Sequence, residues 1–473
     1  MANAMRDALT QVLVREIDGF TSLESCQQLT AGASQETYRI VLNSQSGQQQ
    51  LALRRAVPTN TQEGGVGSIG LEAEAQLFKL AGRNQIPAPQ VVYVLQPDDQ
   101  LGAGFLMQWL DGETLGQRIN RSDELAEVRP LLARQCGEIL GRIHSLDWQQ
   151  AGLDEQLTQV DAATLVDETF AVYRELDIPA PMIDYCWRWL KANLPSNTRV
   201  SLVHGDFRNG NIMVNPQGIN AVLDWELAHL GDPARDLGWL CVNSWRFGNR
   251  EKPVGGFGEL DDLLEGYRAS SGITITAEDI QYWQVFGSFW WSITTLTMAN
   301  SWRTGETPSL ERPVIGRRSS EAQMDCVNLL IPGAFELPEV TTNIAAGTAL
   351  PMPAELIEGV AAFLKTDVAS TLTGRDAFLA RVGANSLGIA QRELLYGTDL
   401  ANAEAQRLQQ LLKETGKLDE LRWALSNRLR EDFPLDTRAL TEHLRNTVAG
   451  QLFIDQPKYS ALHPTASTAG HRT

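Results

Sequence analysis

Apolar positions follow two different spacings along this chain. Between residues 25 and 108, short apolar runs alternate with polar positions and turn residues. Examples are YRIVL (38–42) and LALRRAV (51–57), and this pattern predicts strands. SIGLEAEAQLFKLAG (68–82) has apolar residues three and four positions apart, which predicts one helix within this strand-rich region.

Helical spacing dominates the rest of the chain. RQCGEILGRIHSLDW (134–148) is predicted to be a helix with an inward apolar face, and residues 165–176 and 183–194 two more. The aromatic-rich stretch 282–302 is interpreted as a buried helix, in preference to a substrate platform. Beyond the segment 332–355, which is rich in Pro, Thr, Gly and Ala, five amphipathic helices are predicted: 354–368, 375–397, 402–415, 418–431 and 437–454.

These patterns suggest several regions in order along the chain. They are a leading helix (1–24), a small lobe (25–108), a large lobe (109–335), a linker (336–355), a helical bundle domain (356–455) and a disordered tail (456–473). We expect no catalytic role for the bundle, because it carries no motif. It could cap a substrate cleft or form a homodimer through its helices.

Composition narrows the classes of partner. The chain has 473 residues and a formal net charge of -18, without a long basic run, so neither nucleic acid nor a membrane surface is an expected partner. Polar residues interrupt the stretch 282–302, which therefore predicts no membrane span. The five scattered cysteines and the acid-containing first helix, which lacks a secretory signal, indicate a cytoplasmic protein.

One segment carries most of the chemistry. Residues 203–226 read VHGDFRNGNIMVNPQGINAVLDWE, a turn followed by a predicted β-hairpin. His204, Asp206 and Asn211 have the H-x-D-x-x-x-x-N spacing of a protein-kinase catalytic loop, and Asp224 follows at a later strand end. The alternative, a hairpin with a solvated acidic turn, does not account for all four residues at this spacing.

These residue types suit phosphoryl transfer to a hydroxyl. Mg²⁺ prefers hard oxygen ligands and takes one or two carboxylates from the protein, so Asn211 and Asp224 are the candidate metal ligands. The hairpin is expected to bring them together. Asp206 then remains to orient the attacking hydroxyl and accept its proton.

The chain resembles the aminoglycoside phosphotransferase and choline kinase-like family of small-molecule kinases, over residues 25 to about 330. LDWELAHLGDPARDLGWL (223–240) resembles the branch related to the kinase domains of animal acyl-CoA dehydrogenase-type proteins. The resemblance implies an α+β fold, a bilobal protein-kinase-like domain, here followed by an all-α helical bundle of a kind found beside such kinases. It also implies ATP and Mg²⁺ as cofactors.

The resemblance places the remaining site residues one by one. Arg54 stands where the family usually carries a phosphate-contacting Lys, a departure that keeps the charge but changes its shape. Glu74, or alternatively Glu72, would be its acidic partner. The other implied roles are a turn over the phosphates at Gly32, adenine contacts by the backbone of Gln108 and Leu110, a further metal ligand at Glu226, and supporting roles for His204, Asp232 and Asp236.

The expected function is that of an ATP- and Mg²⁺-dependent kinase acting on a small-molecule alcohol. A hydroxyacyl-CoA-like metabolite is preferred over an aminoglycoside- or choline-type substrate. The arginines of LERPVIGRRSSE (310–321) could meet an anionic carrier, although a solvated helix start is the commoner reason for such a cluster. The alternative class is a nucleotide-binding regulator without catalysis, suggested only by Arg54.

Overall fold

The computed structural model describes residues 2–29, 35–56, 69–196, 199–338 and 350–462. The chain forms two compact units, each assembled from separate segments. The first unit comprises Met1–Ala162, Ser196–Cys241 and Trp245–Ile280. The second comprises Ala163–Pro195, Val242–Ser244 and Gln281–Thr473.

A five-stranded antiparallel sheet opens the first unit. Its strands are β1 (Phe20–Gln28), β2 (Gln35–Ser44), β3 (Gly47–Ala56), β4 (Val91–Val94) and β5 (Gly104–Gln108), in the order β1-β2-β3-β5-β4. The leading helix α1 (Ala2–Glu16) ends before Phe20, where β1 begins. Leu9 and Leu13 of α1 pack against apolar residues of the sheet, including Ile40 and Leu53, which buries one face of the sheet.

Helix α2 (Leu71–Arg83) lies next to β4 and β5, and it buries an apolar face that contains one acid. Phe78 packs on Phe105 of β5, with ring centroids 5.8 Å apart. Glu74 shares this buried face and is 1% exposed. A carboxylate rarely occupies such a place unless it is paired, which makes its partner informative.

The rest of the first unit surrounds two short strand pairs. Strands β6 (Ser201–Val203) and β9 (His229–Gly231) form one pair, and β7 (Ile212–Asn215) and β8 (Gly218–Val222) form the other. The helices of this part are α3 (Gly116–Arg121), α4 (Leu132–His144), α7 (Ala234–Leu240) and α8 (Leu260–Ser271). Helices α4 and α8 approach closely, since a Cβ on Gly137 would lie 2.1 Å from the Leu263 carbonyl oxygen.

The second unit is helical. Its helices are α5 (Ala162–Glu175), α6 (Pro181–Ala192), most of α9 (Ala277–Arg303), α10 (Glu311–Arg317), α11 (Ser319–Leu330), α12 (Pro353–Phe363), α13 (Ala369–Thr371), α14 (Gly374–Leu412), α15 (Leu418–Arg430) and α16 (Arg438–Asp455). Helix α15 packs on α6, and α16 packs on α11 and α14. Arg430 of α15 donates to the buried carboxylate of Asp184 in α6 at 2.6 Å. The aromatic stretch 282–302 lies within α9, where Trp283 and Phe289 are buried.

Two details of the predicted bundle are wrong. The helices predicted at 375–397 and 402–415 form the single helix α14, because one glycine costs a helix only about 1 kcal/mol and Gly397 does not end it. Residues 456–462, predicted to be disordered, are packed. Leu462 is 1% exposed, and the Tyr459 hydroxyl donates to Asp325 at 2.7 Å.

The boundary predicted within residues 336–355 stays a prediction. Residues 339–349 and 463–473 lie outside the described residues. The division into compact units does not follow that boundary, because helices predicted for the large lobe, such as α6 and α11, pack with the C-terminal helices.

Candidate active site

The loop after β6 is held by a buried carboxylate. Asp236, at the start of α7, accepts the backbone N–H groups of His204 at 2.7 Å and Gly205 at 2.9 Å. His144 Nε2 lies 3.1 Å from the same carboxylate, and His144 Nδ1 lies 3.0 Å from the Tyr267 hydroxyl. Burial alone would raise the pKa of Asp236, but the bond from His144 and the neighbouring positive groups hold it below its ordinary value.

His204 is a structural residue of this loop. Its Nδ1 accepts the Asp206 backbone N–H at 3.2 Å, which leaves Nε2 to donate to the Leu223 carbonyl oxygen at 3.0 Å. Both ring nitrogens are therefore used by the backbone, and the ring is neutral. Burial lowers the pKa of His204, which agrees with this state. The side chain ties the loop to the end of the hairpin.

Asp206 stands in the loop with its carboxylate surrounded by donors. Arg208 binds it bidentately, with Nε 2.8 Å from Oδ1 and Nη2 3.0 Å from Oδ2. Trp239 Nε1 donates to Oδ1 at 2.7 Å, and Asn211 Nδ2 donates to Oδ2 at 2.6 Å. The Asp206 side chain is 14% exposed, so it is held firmly yet reachable.

The hairpin brings the candidate metal ligands to one place in the backbone. The Leu223 N–H donates to the Asn211 carbonyl oxygen at 2.7 Å, so Asp224 directly follows a residue paired with Asn211. Asn211 uses its Nδ2 on Asp206, which leaves the amide oxygen as the group for a cation. Asp224 has a φ of 64°, a left-handed conformation that a non-glycine residue adopts at a cost. Such strain is typical of functional sites.

A second charged cluster joins β3, α2 and the hairpin end. Arg54 Nε donates to Glu74 Oε2 at 3.0 Å, and its Nη2 donates to Asp224 and lies 3.8 Å from Glu226 Oε2. Glu72 is exposed, so Glu74 is the ion-pair partner. Burial raises the pKa of Glu74 to about 7 although Arg54 opposes the shift. Burial also opposes the charge of Arg54, but the three carboxylates raise its pKa above the ordinary value.

Other predicted site residues have separate surroundings. The Gln108 N–H donates to the Gln90 carbonyl oxygen at 2.8 Å, which leaves its own carbonyl for a ligand. Leu110 follows β5 and is half-buried. The Asp232 carboxylate accepts the Ala234 N–H at 2.9 Å, at the start of α7, while the N–H groups of the loop after β6 donate to Asp236. Gly32 lies outside the described residues.

The arginine cluster considered for an anionic carrier belongs to the second unit and is largely paired. Arg317 Nη1 lies 3.0 Å from Glu393 and 3.1 Å from Asp455. Arg318 Nε lies 3.1 Å from Glu321. These two arginines therefore neutralise acids of their own unit.

Three side chains around Asp206 were missed by sequence reasoning. They are Arg208, Trp239 and Trp245, whose ring lies 4.3 Å from the guanidinium carbon of Arg208. The only signal in the sequence was an arginine two positions after Asp206. The tryptophans stand 33 and 39 residues away from Asp206 and looked like ordinary apolar positions.

The donor set fits a magnesium-type cation. An amide oxygen from Asn211 and carboxylates from Asp224 and Glu226 are hard ligands, and such sites complete their coordination with phosphates and water. Within the described ranges, no three His, Cys, Asp or Glu side chains gather into a metal cluster.

No described helix combines the length and the apolar character of a bilayer span.

The sheet-containing lobe, the H-x-D-x-x-x-x-N loop and the acid at the hairpin end define a kinase-like α+β phosphotransferase. The chain belongs to the phosphotransferase enzyme family (APH), whose model matches residues 25–272. A domain of unknown function (DUF6285) matches residues 370–459, in the C-terminal helices. The predicted family and fold class are thereby confirmed.

The chain is also similar to parts of two longer relatives. The chain is 31% identical over 224 residues to acyl-CoA dehydrogenase family member 10 of Mus musculus. The matched region covers 46% of this chain and 20% of that protein. It is 28% identical over 269 residues to family member 11 of Homo sapiens, 52% of this chain and 32% of that protein. The chain thus spans a third or less of the length of these two relatives.

Among solved structures, a candidate aminoglycoside phosphotransferase from Ralstonia eutropha JMP134 shares the fold. Its TM-score is 0.55 at 21% identity, and the match covers 68% of this chain and 96% of that one. Identity at this level is evidence for the fold and not for the substrate.

Proposed function

We propose that this protein transfers the γ-phosphoryl group of ATP, in the presence of Mg²⁺, to a hydroxyl group of a small molecule. The observation that carries this proposal is the presence of two charged clusters in the first unit. Asp206 is held in the catalytic loop, while Arg54, Glu74 and Asp224 converge at the hairpin end. One cluster suits an alcohol and the other suits phosphates.

Each residue has a role in this mechanism. Asp206 orients the acceptor hydroxyl and accepts its proton as the new oxygen–phosphorus bond forms. Arg54 binds phosphate oxygens, because a guanidinium can meet them bidentately. The ion pair with Glu74 holds Arg54 in place. Asn211 and Asp224, with Glu226, would hold Mg²⁺, which when bound neutralises phosphate charge.

The nucleotide base would lie against the strand end after β5. Because the Gln108 N–H is already bonded to Gln90, the Gln108 carbonyl oxygen and the Leu110 N–H are the groups proposed for the adenine edge. A turn at Gly32 over the phosphates remains part of the proposal.

For the acceptor we propose a hydroxyacyl-CoA-like metabolite. The support is the similarity to proteins named as acyl-CoA dehydrogenase family members. Of the cluster Arg312, Arg317 and Arg318, the last two give no added support, because they are in ion pairs. An aminoglycoside or choline-type alcohol is the alternative, and we propose a cytoplasmic location in either case.

The decisive experiment measures ADP release from ATP and Mg²⁺ with panels of hydroxyacyl-CoA thioesters, aminoglycosides and choline. Asp206→Ala should lower acceptor-dependent turnover by about 1,000-fold, because general base catalysis and hydroxyl positioning are lost together, while ATP still binds. Undiminished phosphorylation by this variant would refute the mechanism. ATP binding without turnover on any panel would favour a non-catalytic regulator.

A further inference from the structure

The Asp206 carboxylate has no acceptor position left for a substrate hydroxyl. An ionised carboxylate offers about four lone-pair sites on its two oxygens. Arg208 occupies one on each oxygen, at 2.8 and 3.0 Å. Trp239 takes the second on Oδ1, and Asn211 the second on Oδ2. A hydroxyl can therefore bind Asp206 only after one of these donors has moved away.

Arg208 is the donor best able to move. Trp239 is 5% exposed within α7, and its ring packs on Trp245 with centroids 5.0 Å apart. Asn211 is 6% exposed and is held twice, since its Nδ2 also donates to the Asp206 carbonyl oxygen at 2.9 Å. The Arg208 side chain is 25% exposed and lies at the end of a long flexible stem.

Arg208 also has a defined resting position. Its guanidinium lies over the Trp245 ring, 4.3 Å from the centroid, and Nη1 donates to the Asn209 carbonyl oxygen at 2.9 Å. Asn209 is fixed in turn, because its Nδ2 donates to the carbonyl oxygens of Trp245 and Gly255. The planar fork therefore sits in a prepared site facing the carboxylate.

A group that could draw Arg208 away must compete with a carboxylate for a bidentate guanidinium. A terminal phosphate does so, because it carries more negative charge and offers the same geometry to the fork. We infer that Arg208 is a positioning residue that clamps Asp206 at rest and transfers to the γ-phosphate of the arriving nucleotide. This exchange frees Asp206 for the acceptor only when the phosphoryl donor is present.

This inference rests on the proposed function and predicts a dependence on the γ-phosphate. Calorimetric titrations with Mg²⁺ would compare ADP with the slowly hydrolysed analogue β,γ-imido-ATP. Asp206→Asn removes the competing charge, so it should raise the preference for the analogue over ADP by about tenfold. Arg208→Gln should abolish the preference attributable to this contact and leave ADP affinity unchanged.

The double variant makes the test specific. Asp206→Asn with Arg208→Gln should match Arg208→Gln alone, because the gain in the first variant acts through the arginine. Arg208→Lys, which retains the charge, should recover part of the preference and guards against a folding defect in Arg208→Gln. Trp239→Phe removes another donor to Asp206 and should not change the preference. Arg134→Gln, an exposed arginine paired with Glu138 and Glu265, is the control for charge loss.

Two kinds of failure are distinguishable. If the wild-type protein binds neither nucleotide, the proposed function fails and the inference fails with it. If the wild-type protein binds both nucleotides but the variants change both affinities equally, or the double variant is simply additive, the clamp inference is overturned while the kinase proposal stands.

Discussion

The loop after β6 and the α14–α16 bundle each pack against a buried polar side chain, but Asp236 beside the loop has hydrogen-bond partners and His443 in the bundle has none among the described residues. In the loop, the Asp236 carboxylate, which is fully buried, receives two backbone N–H groups and a histidine. In the bundle, His443 is 1% exposed, and neither ring nitrogen has a hydrogen-bond partner among the described residues. A buried polar group costs free energy unless it is paired, so the burial of Asp236 is compensated and the burial of His443 is not.

The largest effect is expected from a substitution of Asp236, the buried carboxylate that has partners. Asp236→Asn removes the charge and one acceptor from a site that serves three donors. We expect a loss of about 3 kcal/mol in unfolding free energy, together with at least a hundredfold loss of turnover, because the loop that presents Asp206 loosens. Urea unfolding and ADP release measure the two effects.

The control for this variant is an acid outside the loop. Asp167→Asn changes an exposed carboxylate that pairs with Lys191 in the second unit, at 2.5 Å, and should change stability by about 0.5 kcal/mol or less. If Asp236→Asn behaved like this surface variant, the bonds from Asp236 would not be what holds the loop.

Some residues of the candidate site could be predicted from the sequence because they follow a fixed spacing. Under the proposed function, phosphoryl transfer restricts a few positions to particular residue types at a fixed spacing, so Asp206, Asn211 and Asp224 could be proposed from one segment. The pairing of Arg54 with Glu74 was harder, because two glutamates stand two residues apart on α2 and only packing shows that Glu74 faces inward.

The remaining features depend on contacts between distant residues. The Trp239 bond to Asp206 and the Trp245 stack on Arg208 leave no local pattern in the sequence. The same is true in the bundle, where packing buries residues 461 and 462 of the predicted disordered tail. Local propensity is a weak guide where tertiary packing decides.

A smaller effect should come from the second charged cluster of the first unit. Glu74→Gln keeps the shape of the side chain but removes the charge that fixes Arg54, so we expect kcat/KM for ATP to fall by about 10- to 100-fold. Glu72→Gln, two residues away on the same helix and exposed, is the matched control and should retain wild-type kinetics. Equal losses in both variants would argue against a role for the pair.

The same variant has a pH signature. Burial raises the pKa of Glu74 from 4.5 to about 7, so the folded protein holds this proton more tightly than the unfolded chain does. The contribution of Glu74 to stability therefore falls as pH rises from about 4.5 to about 7. Urea unfolding across this range should show that Glu74→Gln lacks this component of the pH dependence.

Substitutions of His443 test the buried side chain that has no hydrogen-bond partner among the described residues. Burial, with Arg407 and Arg422 nearby, lowers the pKa of His443 from 6.5 to about 3. The unfolded chain thus binds a proton that the folded protein does not, and stability is lost as pH falls from about 6.5 toward 3. His443→Leu, which cannot titrate, should remove this loss, raise stability at pH 7 and leave turnover at pH 7 unchanged. His443→Gln, which cannot titrate but remains polar, should remove the same slope without the gain in stability that Leu gives at pH 7.

The smallest effect on the folded chain concerns the outer surface of the bundle. Leu356, Val360 and Phe363 of α12 are 58%, 52% and 56% exposed and lie on one face of the helix. We propose this face as the contact of a homodimer, one of the two roles considered for the C-terminal helices. Replacing Leu356 and Val360 by Gln should change unfolding free energy by about 0.5 kcal/mol or less per site, since neither side chain is buried in the chain itself. Analytical ultracentrifugation should nevertheless show the dimer dissociating.

The control is Leu131→Gln, at an exposed leucine of the first unit, which should leave the sedimenting mass unchanged. A wild-type protein that sediments as a monomer at every concentration would remove the homodimer proposal and leave this apolar face unexplained.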